Sequence, residues 1–257
     1  MIMSRVSDRL NRLSYSQTFV MSNKARDMKA AGIDVISLTL GEPDFDVPDN
    51  IKKAAFDAIN ENYSHYSPVP GFLELRKAIV NKLKRDNNLD YKPTQICVAN
   101  GAKQNIFNVL AALVNEGDEV ILPAPYWVSY DEMVKINGGV SVFIETNIDT
   151  EFKMTAEQLE AAITPKTKAV LYSSPCNPSG SYYTREELEK IANVMAKYPD
   201  VVIISDEIYE FINYDGEHVS IAEFPQVFNQ TAVINGMSKA FAMTGWRIGY
   251  SACPQWL

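Results

Sequence analysis

The amino-acid sequence predicts an α/β fold built on a mostly parallel, seven-stranded sheet sandwiched by helices. Short β-branched or apolar runs alternate along the chain with segments of helical period, which is the rhythm of successive β-α-β units. Some runs, such as VVIIS at residues 201–205, are apolar almost throughout, as expected of strands covered on both faces. The chain has 257 residues, enough for one large domain or two modest ones.

The strands and helix starts can be placed in order along the chain. Predicted strands cover residues 95–100, 118–125, 139–146, 168–175, 201–207, 231–236 and 247–253. A helix is expected to begin near Ala102, and capping boxes predict two more, at Thr155 with Gln158 and at Thr184 with Glu187. In sheets of this kind ligands bind outside the carboxyl ends of the strands, so the residues that follow each run are the candidates for chemistry.

Composition excludes several classes of protein. Hydrophobic residues make up 46% and charged residues 22%, which indicates a compact globule rather than a disordered chain. The net charge of -8 argues against a general attraction to nucleic acid or to an anionic membrane. No stretch approaches the roughly 18 apolar residues of a membrane span. We therefore expect a cytoplasmic enzyme with neither a nucleic-acid nor a membrane partner.

The cysteines and histidines suggest no metal site. Their spacing matches no zinc motif, and we expect reduced thiols and no metal; these residues are Cys97, Cys176, Cys253, His65 and His218. Arginines and serines near the N-terminus leave a transit peptide open. We prefer an ordinary amphipathic helix with Val6, Leu10 and Leu13 on one face.

Residues that could bind an anion follow the first predicted strand, and a residue that could stack on a flat ring follows the second. Gly101 and Ala102 lie in a turn that opens a helix, where backbone N–H groups and the helix dipole favour a phosphate. Trp127 follows the second strand and could stack on a ring. A glycine in such a turn is more often structural, so the phosphate signal is weak by itself, and a core position explains Trp127 equally well. Neither the dinucleotide fingerprint nor the P-loop motif occurs in the sequence.

Polar side chains also follow the fourth and fifth strands. Asn177 stands between two prolines, in a stiff turn that fixes its amide just past the strand end. Asp206 and Glu207 come directly after a run that should be buried, with Tyr209 close by. A carboxylate at that depth needs a partner. It is either an ion-pair partner in the core or the group that holds a proton on a heterocyclic nitrogen.

Lys239 and Arg247 stand eight residues apart in a loop between the last two strands. A lysine in a loop is usually exposed to solvent, but small and apolar neighbours here would desolvate the amine, lower its pKa and make it a nucleophile. Arg247 offers the forked donor geometry that suits a phosphate. Together with a stacking tryptophan and a buried aspartate, these residues describe a site for pyridoxal phosphate.

The motifs that contain these residues resemble fold-type I aminotransferases of class I, and most of all the aspartate and prephenate aminotransferase branch. The matching segments are GEPDFDVP (41–48), YSPVPGFLELRKAI (66–79), NGAKQ (100–104), PAPYWVSY (123–130), NPSG (177–180), SDEIY (205–209) and SKAFAMTGWRIGY (238–250). Their order and spacing match over essentially the whole chain. The resemblance implies a large cofactor-binding domain at residues 46–257, preceded at residues 1–45 by an N-terminal arm and part of an incomplete small domain.

The resemblance also implies a role for each matched residue. Lys239 is similar to the lysine that bonds pyridoxal phosphate, Asp206 to the partner of the pyridine nitrogen, and Trp127 to the stacking ring. Asn177 and Tyr209 are similar to the donors on the phenolic oxygen. The residues that resemble the phosphate site are Gly101, Ala102, Ser238 and Arg247, with Tyr66 reaching the neighbouring subunit's site in a homodimer.

The implied reaction moves an amino group between an amino acid, aspartate foremost, and a 2-oxo acid such as 2-oxoglutarate. Lys239 would be both anchor and base, with Asp206 and Tyr209 assisting. Gly41 is expected to contact the substrate carboxylate through its backbone, beside Trp127 and Asn177. Lys103 matches a position that meets the distal carboxylate of a dicarboxylic substrate. The amino donor itself is left open by the sequence.

The resemblance brings further expectations. The Ala124–Pro125 and Asn177–Pro178 bonds should be cis. Cys176 and Gly236 depart from residues that relatives often have at these positions. Family members continue for over a hundred residues past the position of Leu257, where the arginine for the α-carboxylate lies. We therefore expect the 257-residue chain to bind the cofactor but to transaminate poorly.

Three other functions stay open. A pyridoxal-phosphate-dependent lyase acting on a β-substituted amino acid would share these motifs. A non-catalytic cofactor-binding fragment is a second alternative. A dinucleotide-dependent enzyme is the third, and the absence of a glycine-rich fingerprint argues against it.

Overall fold

The computed structural model describes residues 5–15 and 17–257; residues 1–4 and 16 of the predicted N-terminal arm lie outside it. All seven predicted strands form, and they join in one seven-stranded sheet. The strands are β1 (Ile96–Ala99), β2 (Glu119–Ala124), β3 (Val140–Glu145), β4 (Thr167–Ser173), β5 (Val202–Asp206), β6 (Thr231–Gly236) and β7 (Gly249–Ala252).

The sheet is mixed but mostly parallel, as predicted. Its strand order is β1-β7-β6-β5-β4-β2-β3. Strands β2 to β6 pair in parallel, whereas β7 runs antiparallel to both β6 and β1. In register, Ser173 of β4 lies opposite Asp206 of β5. The carboxyl ends of the five parallel strands therefore meet at one edge of the sheet, with Asp206 near its centre.

Helices connect and cover the strands. They are α1 (Asp8–Asn11), α2 (Gln17–Ala30), α3 (Asp49–Asn60), α4 (Leu73–Asn87), α5 (Ala102–Leu113), α6 (Ser129–Ile136), α7 (Ala156–Ala162), α8 (Arg185–Met195) and α9 (Pro225–Phe228). Both predicted capping boxes are present, at the N-termini of α7 and α8.

The expected amphipathic helix near the N-terminus is shorter than predicted. Helix α1 ends at Asn11, so Leu13 lies outside it, and the helix buries none of its residues. The side chains of Val6 and Leu10 are about half exposed. Because so short a helix has little stability of its own, the apolar residues at positions 6, 10 and 13 do not extend it by themselves.

Helices cover both faces of the sheet, which confirms the predicted sandwich. On one face, Ile106 of α5 and Val134 of α6 pack against Leu171 and Ile204 of the sheet. On the other face, α7, α8 and α9 cover the alternate residues of the same strands, including Val170 and Ile203. A third cluster joins α4 to β1 and β7. Successive strand residues thus enter opposite cores, as the continuous apolar runs indicated.

Much of the apolar surface that stays exposed lies in residues 33–73. Ile36, Leu38 and Val69 are each about nine-tenths exposed or more, and Phe45 and Phe56 are exposed as well. An apolar surface of this extent commonly marks a contact with another protein surface. Among the described residues, no helix has both the length and the apolar character that are needed to cross a membrane.

Candidate active site

The residues predicted to bind the phosphate lie where the β1–α5 turn meets Arg247. Gly101 has a φ of +87°, and a Cβ added to it would lie 2.4 Å from Nη2 of Arg247. Arg247 is held by two backbone carbonyls: Nη1 donates to the Thr244 oxygen at 2.7 Å and Nη2 to the Asn100 oxygen at 3.3 Å. The guanidinium therefore lies against the N-terminus of α5, where the helix dipole and free N–H groups also favour an anion.

Two further glycines allow close backbone approach at this end. A Cβ on Gly249 would lie 2.3 Å from the Ala102 nitrogen, so β7 contacts the first turn of α5 directly. A Cβ on Gly236 would lie 2.8 Å from the Ile248 carbonyl oxygen. This contact explains why glycine, and not a larger residue, stands at position 236. Ser238 is buried just after β6.

Lys103 and Trp127 lie together beside this anion site. The Nζ atom of Lys103 is 5.1 Å from the Trp127 ring centroid. Burial lowers the pKa of Lys103, and the positive charge of Arg247 lowers it further. Both cations border an open cleft of about 290 Å³, which is lined by Asn100, Lys103, Gln104, Phe107, Met133 and Arg247. This cleft combines two positive charges with apolar walls.

Asp206 is buried at the end of β5 and is held by hydrogen bonds. The Tyr130 hydroxyl donates to Oδ2 at 2.6 Å, and the Ile208 backbone N–H donates to Oδ1 at 3.3 Å. Burial raises the pKa of Asp206 to about 6, although these two hydrogen bonds oppose the rise. The sequence had predicted that this carboxylate needs a partner; the structure supplies a tyrosine from α6 that the sequence analysis did not single out.

Glu207 points to the opposite face of the sheet from Asp206. Its Oε1 accepts from Ser205 at 2.9 Å and Ser220 at 2.7 Å, and Oε2 lies 3.0 Å from Nε2 of His218. Burial would lower the pKa of His218, but the Glu207 carboxylate outweighs burial and the pKa is raised. Glu207 therefore belongs to a buried structural network rather than to the strand edge that carries Asp206.

Basic side chains lie beside the acidic groups of this buried network. Ligand atoms of Glu207, Glu210 and His218 all lie within 4.8 Å of one another. The Lys82 ammonium forms an ion pair with Glu210. The Nε2 atom of His218 lies within hydrogen-bond distance of Glu207, so both acidic groups have partners within the protein itself.

Lys239 is half-buried in the loop after β6, next to the N-terminal segment. Its Nζ donates to the Gly41 carbonyl oxygen at 2.6 Å and lies 5.9 Å from the Tyr209 ring centroid. Burial lowers the pKa of Lys239; Glu42 opposes the shift and Arg247 adds to it. Thr244 donates to Glu42 at 2.7 Å and ties the two segments together a second time. The amine is thus partly desolvated, as the sequence predicted.

The Asn177 turn follows β4, at the same sheet edge as Asp206. The Gly180 nitrogen donates to the Cys176 carbonyl oxygen at 2.8 Å and closes the turn. The Cys176 thiol lies 3.7 Å from the Pro125 carbonyl oxygen, so this turn contacts the loop that carries Trp127. Both predicted cis bonds, Ala124–Pro125 and Asn177–Pro178, are confirmed; a third, Ser174–Pro175, was not predicted.

The structure places most of the predicted site residues at one edge of the sheet, and Tyr66 lies away from them. The Arg247 guanidinium lies against Gly101, and a separate run of contacts leads from Lys103 through Trp127 and Tyr130 to Asp206. Within this run, the ring centroids of Trp127 and Tyr130 are 5.5 Å apart. Tyr66 is not part of this arrangement, because its side chain is fully exposed in the N-terminal segment.

Replacing Gly101 by alanine should weaken anion binding at this site. The added Cβ would force the Arg247 guanidinium away, and the positive φ adds strain. We expect the affinity for pyridoxal phosphate to fall about 10-fold or more, equivalent to one lost charged hydrogen bond. The matched control is Gly117→Ala, because Gly117 has a similar φ of +84° but open space around its Cβ. Equal affinities in the two variants would contradict the steric explanation.

Comparison with known proteins gives a consistent picture. Residues 33–257 match the family described as aminotransferase class I and II. A probable aspartate/prephenate aminotransferase of Rhizobium leguminosarum bv. phaseoli is 51% identical over 254 residues, which are 98% of this chain and 64% of that protein. An aspartate aminotransferase of Bacillus sp. strain YM-2 is 53% identical over 249 residues, 96% of this chain and 63% of its own length.

Solved structures agree with these relatives. The crystal structure of an aspartate aminotransferase from Rhizobium meliloti has a TM-score of 0.95 and 44% identity, covering 98% of this chain and 64% of that one. An aspartate aminotransferase from Thermus thermophilus with maleate also has a TM-score of 0.95, at 43% identity, covering 98% and 65%. The chain thus spans about two thirds or slightly less of the length of these proteins.

Proposed function

Because the chain belongs to the class I and II aminotransferase family, we propose that the protein is a pyridoxal-phosphate-dependent aspartate aminotransferase. It would move the amino group of aspartate to a 2-oxo acid such as 2-oxoglutarate. The observation that carries this proposal is the position of Lys239, a half-buried amine of lowered pKa at the sheet edge that also carries Asp206. The names of the relatives support aspartate as the amino donor.

The residues at this edge fit pyridoxal phosphate. Gly101 leaves room beside Arg247 for close approach of an anion, which suits the phosphate. Asp206 is a buried carboxylate with no ion-pair partner among the described residues, which suits a protonated ring nitrogen. Trp127 would supply an aromatic face for the ring, and Asn177 and Tyr209 would donate to its phenolic oxygen. When bound, the cofactor supplies a reactive carbonyl carbon and an electron-withdrawing ring.

Residues of this chain would act in each step of the proposed reaction. Lys239 would first act as the nucleophile that anchors the cofactor and then, as a free amine, move a proton from the substrate Cα. Its lowered pKa leaves more of the neutral amine available for both tasks. The Gly41 carbonyl holds the Nζ atom at the mouth of the site. Asp206 would keep the ring nitrogen protonated, and Tyr209 would donate to the phenolic oxygen.

The N-terminal segment supports a homodimer. Large apolar side chains of residues 36–69 are exposed, and Tyr66 lies among them without covering its own site. A second copy packed on this surface would bury it and could receive the Tyr66 hydroxyl at its phosphate site. We propose this arrangement for the assembled enzyme.

The direct test of function is an assay, with added cofactor, of the chain extended to full family length. We expect aspartate and 2-oxoglutarate to give oxaloacetate and glutamate in equal amounts. Omission of 2-oxoglutarate should stop continuous turnover. Sustained release of ammonia and a keto acid from a single amino acid, without an acceptor, would instead indicate a lyase and would contradict the proposal.

We propose that Lys103 selects dicarboxylic substrates, because its ammonium borders the cleft beside Trp127. Lys103→Ala should lower kcat/KM for aspartate. The corresponding loss of transition-state stabilisation should be about 1.5–3 kcal/mol, which a charged hydrogen bond usually contributes. The loss for alanine as amino donor should be much smaller. Lys190→Ala, which changes an exposed residue of helix α8, is the control for a change in net charge. Equal losses for aspartate and alanine would remove the selective role.

A further inference from the structure

Tyr130 contacts two groups of the proposed cofactor site at the same time. Its hydroxyl donates to Oδ2 of Asp206 at 2.6 Å. Its ring lies edge-on to Trp127, with 5.5 Å between the ring centroids and 88° between the planes. The side chain is 1% exposed, so α6 and the sheet fix it from all sides. One residue thus connects the predicted stacking ring to the predicted partner of the ring nitrogen.

The hydrogen bond from Tyr130 is the shorter of the two that Asp206 receives. The other, from the Ile208 N–H, is 3.3 Å long. Three titratable groups act on or near Asp206: Tyr130, Tyr209 and Glu207. Glu207 is turned toward Ser205, Ser220 and His218 on the far face of the sheet. Within the described residues, the orientation of the Asp206 carboxylate therefore depends on one side-chain donor.

Tyr130 keeps its proton, and so remains a donor, at neutral pH and above. Burial raises its pKa well above 10, and the neighbouring Asp206 charge raises it further. A hydroxyl in this position cannot compete as a base for a proton on Asp206. It can orient the carboxylate and stabilise its ionised form.

We propose that Tyr130 is a positioning residue of the cofactor site, whose hydroxyl orients the Asp206 carboxylate while its ring holds Trp127. The two groups that would meet the edge and the face of the cofactor ring are then fixed relative to each other by one buried side chain. This proposal rests on the function proposed above for Asp206 and Trp127. Its first test needs neither cofactor nor turnover.

The first test follows the ionisation of Asp206 in the cofactor-free protein by carbon-13 NMR of its carboxyl group, assigned by comparison with Asp206→Asn. Wild type should titrate at a pH of about 6. Tyr130→Phe removes a donor to the charged form and should raise this midpoint by about one to two pH units. Tyr91→Phe, a buried tyrosine in a different core cluster, should leave it unchanged. An unchanged midpoint in Tyr130→Phe overturns the proposal.

A second variant keeps the test decisive if Tyr130→Phe fails to fold. Incorporation of 3,5-difluorotyrosine at position 130 preserves the shape of the ring and makes the hydroxyl a stronger donor. The Asp206 midpoint should then fall below its wild-type value. A midpoint that stays unchanged or rises would contradict a hydrogen bond from this hydroxyl.

The last test measures the equilibrium affinity for pyridoxal phosphate in wild type, Tyr130→Phe, Asp206→Asn and the double variant. Tyr130→Phe should bind about 10-fold more weakly than wild type. The same change made in Asp206→Asn should have little further effect, because the two residues act together. Fully additive losses would overturn the positioning role. If wild type itself binds no cofactor, the proposed function fails, whereas the NMR titration still reports separately on the hydrogen bond.

Discussion

Replacing Lys239 by arginine or alanine is expected to abolish transamination. Proton transfer by a positioned side chain contributes about 10²–10⁴-fold to a rate, and loss of the anchoring amine adds to this, so kcat should fall by at least that factor. Arginine keeps the positive charge, but its pKa is far too high for a base. The two variants should therefore be similarly inactive.

This prediction is checked by steady-state assays with aspartate and 2-oxoglutarate, with each variant made in the chain extended to full family length. Lys190→Ala, an exposed lysine on α8, should retain wild-type activity. Cofactor affinity should fall less than kcat in both Lys239 variants, since the groups around Arg247 and Asp206 are unchanged. Activity above a tenth of wild type in Lys239→Arg would assign the proton transfer to another residue.

The second large effect is expected for Asp206→Asn. The substitution keeps the size of the side chain but removes the charge, so the ring nitrogen would lose the group that keeps it protonated. Removal of one preorganised electrostatic partner commonly costs about 10²–10³-fold in kcat, and we expect a loss in this range. In wild type, the Asp206 carboxyl of the cofactor-free protein protonates as the pH falls through about 6, so cofactor affinity should decrease below that pH.

Glu207→Gln is the matched control for Asp206→Asn. Glu207 is the next residue and is equally buried, but its carboxylate faces Ser220 and His218 on the other side of the sheet. Its replacement should lower stability and leave kcat of the folded protein within a few-fold of wild type. Asp206→Asn should also lose the dependence of cofactor affinity on pH near 6. Equal losses of kcat in the two variants would assign the effect to general disruption of the strand end.

Local patterns in the sequence were sufficient to predict the strands and the helix caps. The apolar runs and the Thr155 and Thr184 boxes depend on residues that are near one another in the chain, so they can be recognised without a structure. The strand order could not be predicted in this way. The placement of antiparallel β7 between β1 and β6 depends on pairing between distant segments, which no local pattern specifies.

In the candidate site, too, local motifs revealed some residues, whereas contacts between distant segments could not be predicted. Lys239, Asp206 and Arg247 were recognised because their motifs are contiguous. The contact of Lys239 with Gly41 spans 198 residues, and that of Tyr130 with Asp206 spans 76. Such contacts arise only when helices pack on the sheet. A signal for Tyr130 was nevertheless present, because a buried carboxylate requires a donor and a tyrosine three residues after Trp127 faces the same core.

The helix near the N-terminus is shorter than predicted for a related reason. A helix of four residues depends on tertiary packing for its stability, and helix α1 buries none of its residues. The third cis bond, Ser174–Pro175, lies in the same turn as a predicted one but had no separate signal in the sequence.

The central claim is that Lys239 is the residue that bonds the cofactor. Incubation of the protein with pyridoxal phosphate, reduction with borohydride and peptide mapping by mass spectrometry tests it most directly. We predict one label per chain, on the peptide that contains Lys239. Lys103 is the most informative competitor, because it is also half-buried, has a lowered pKa and lies beside Arg247. A label on Lys103, on another lysine or on none would contradict the account.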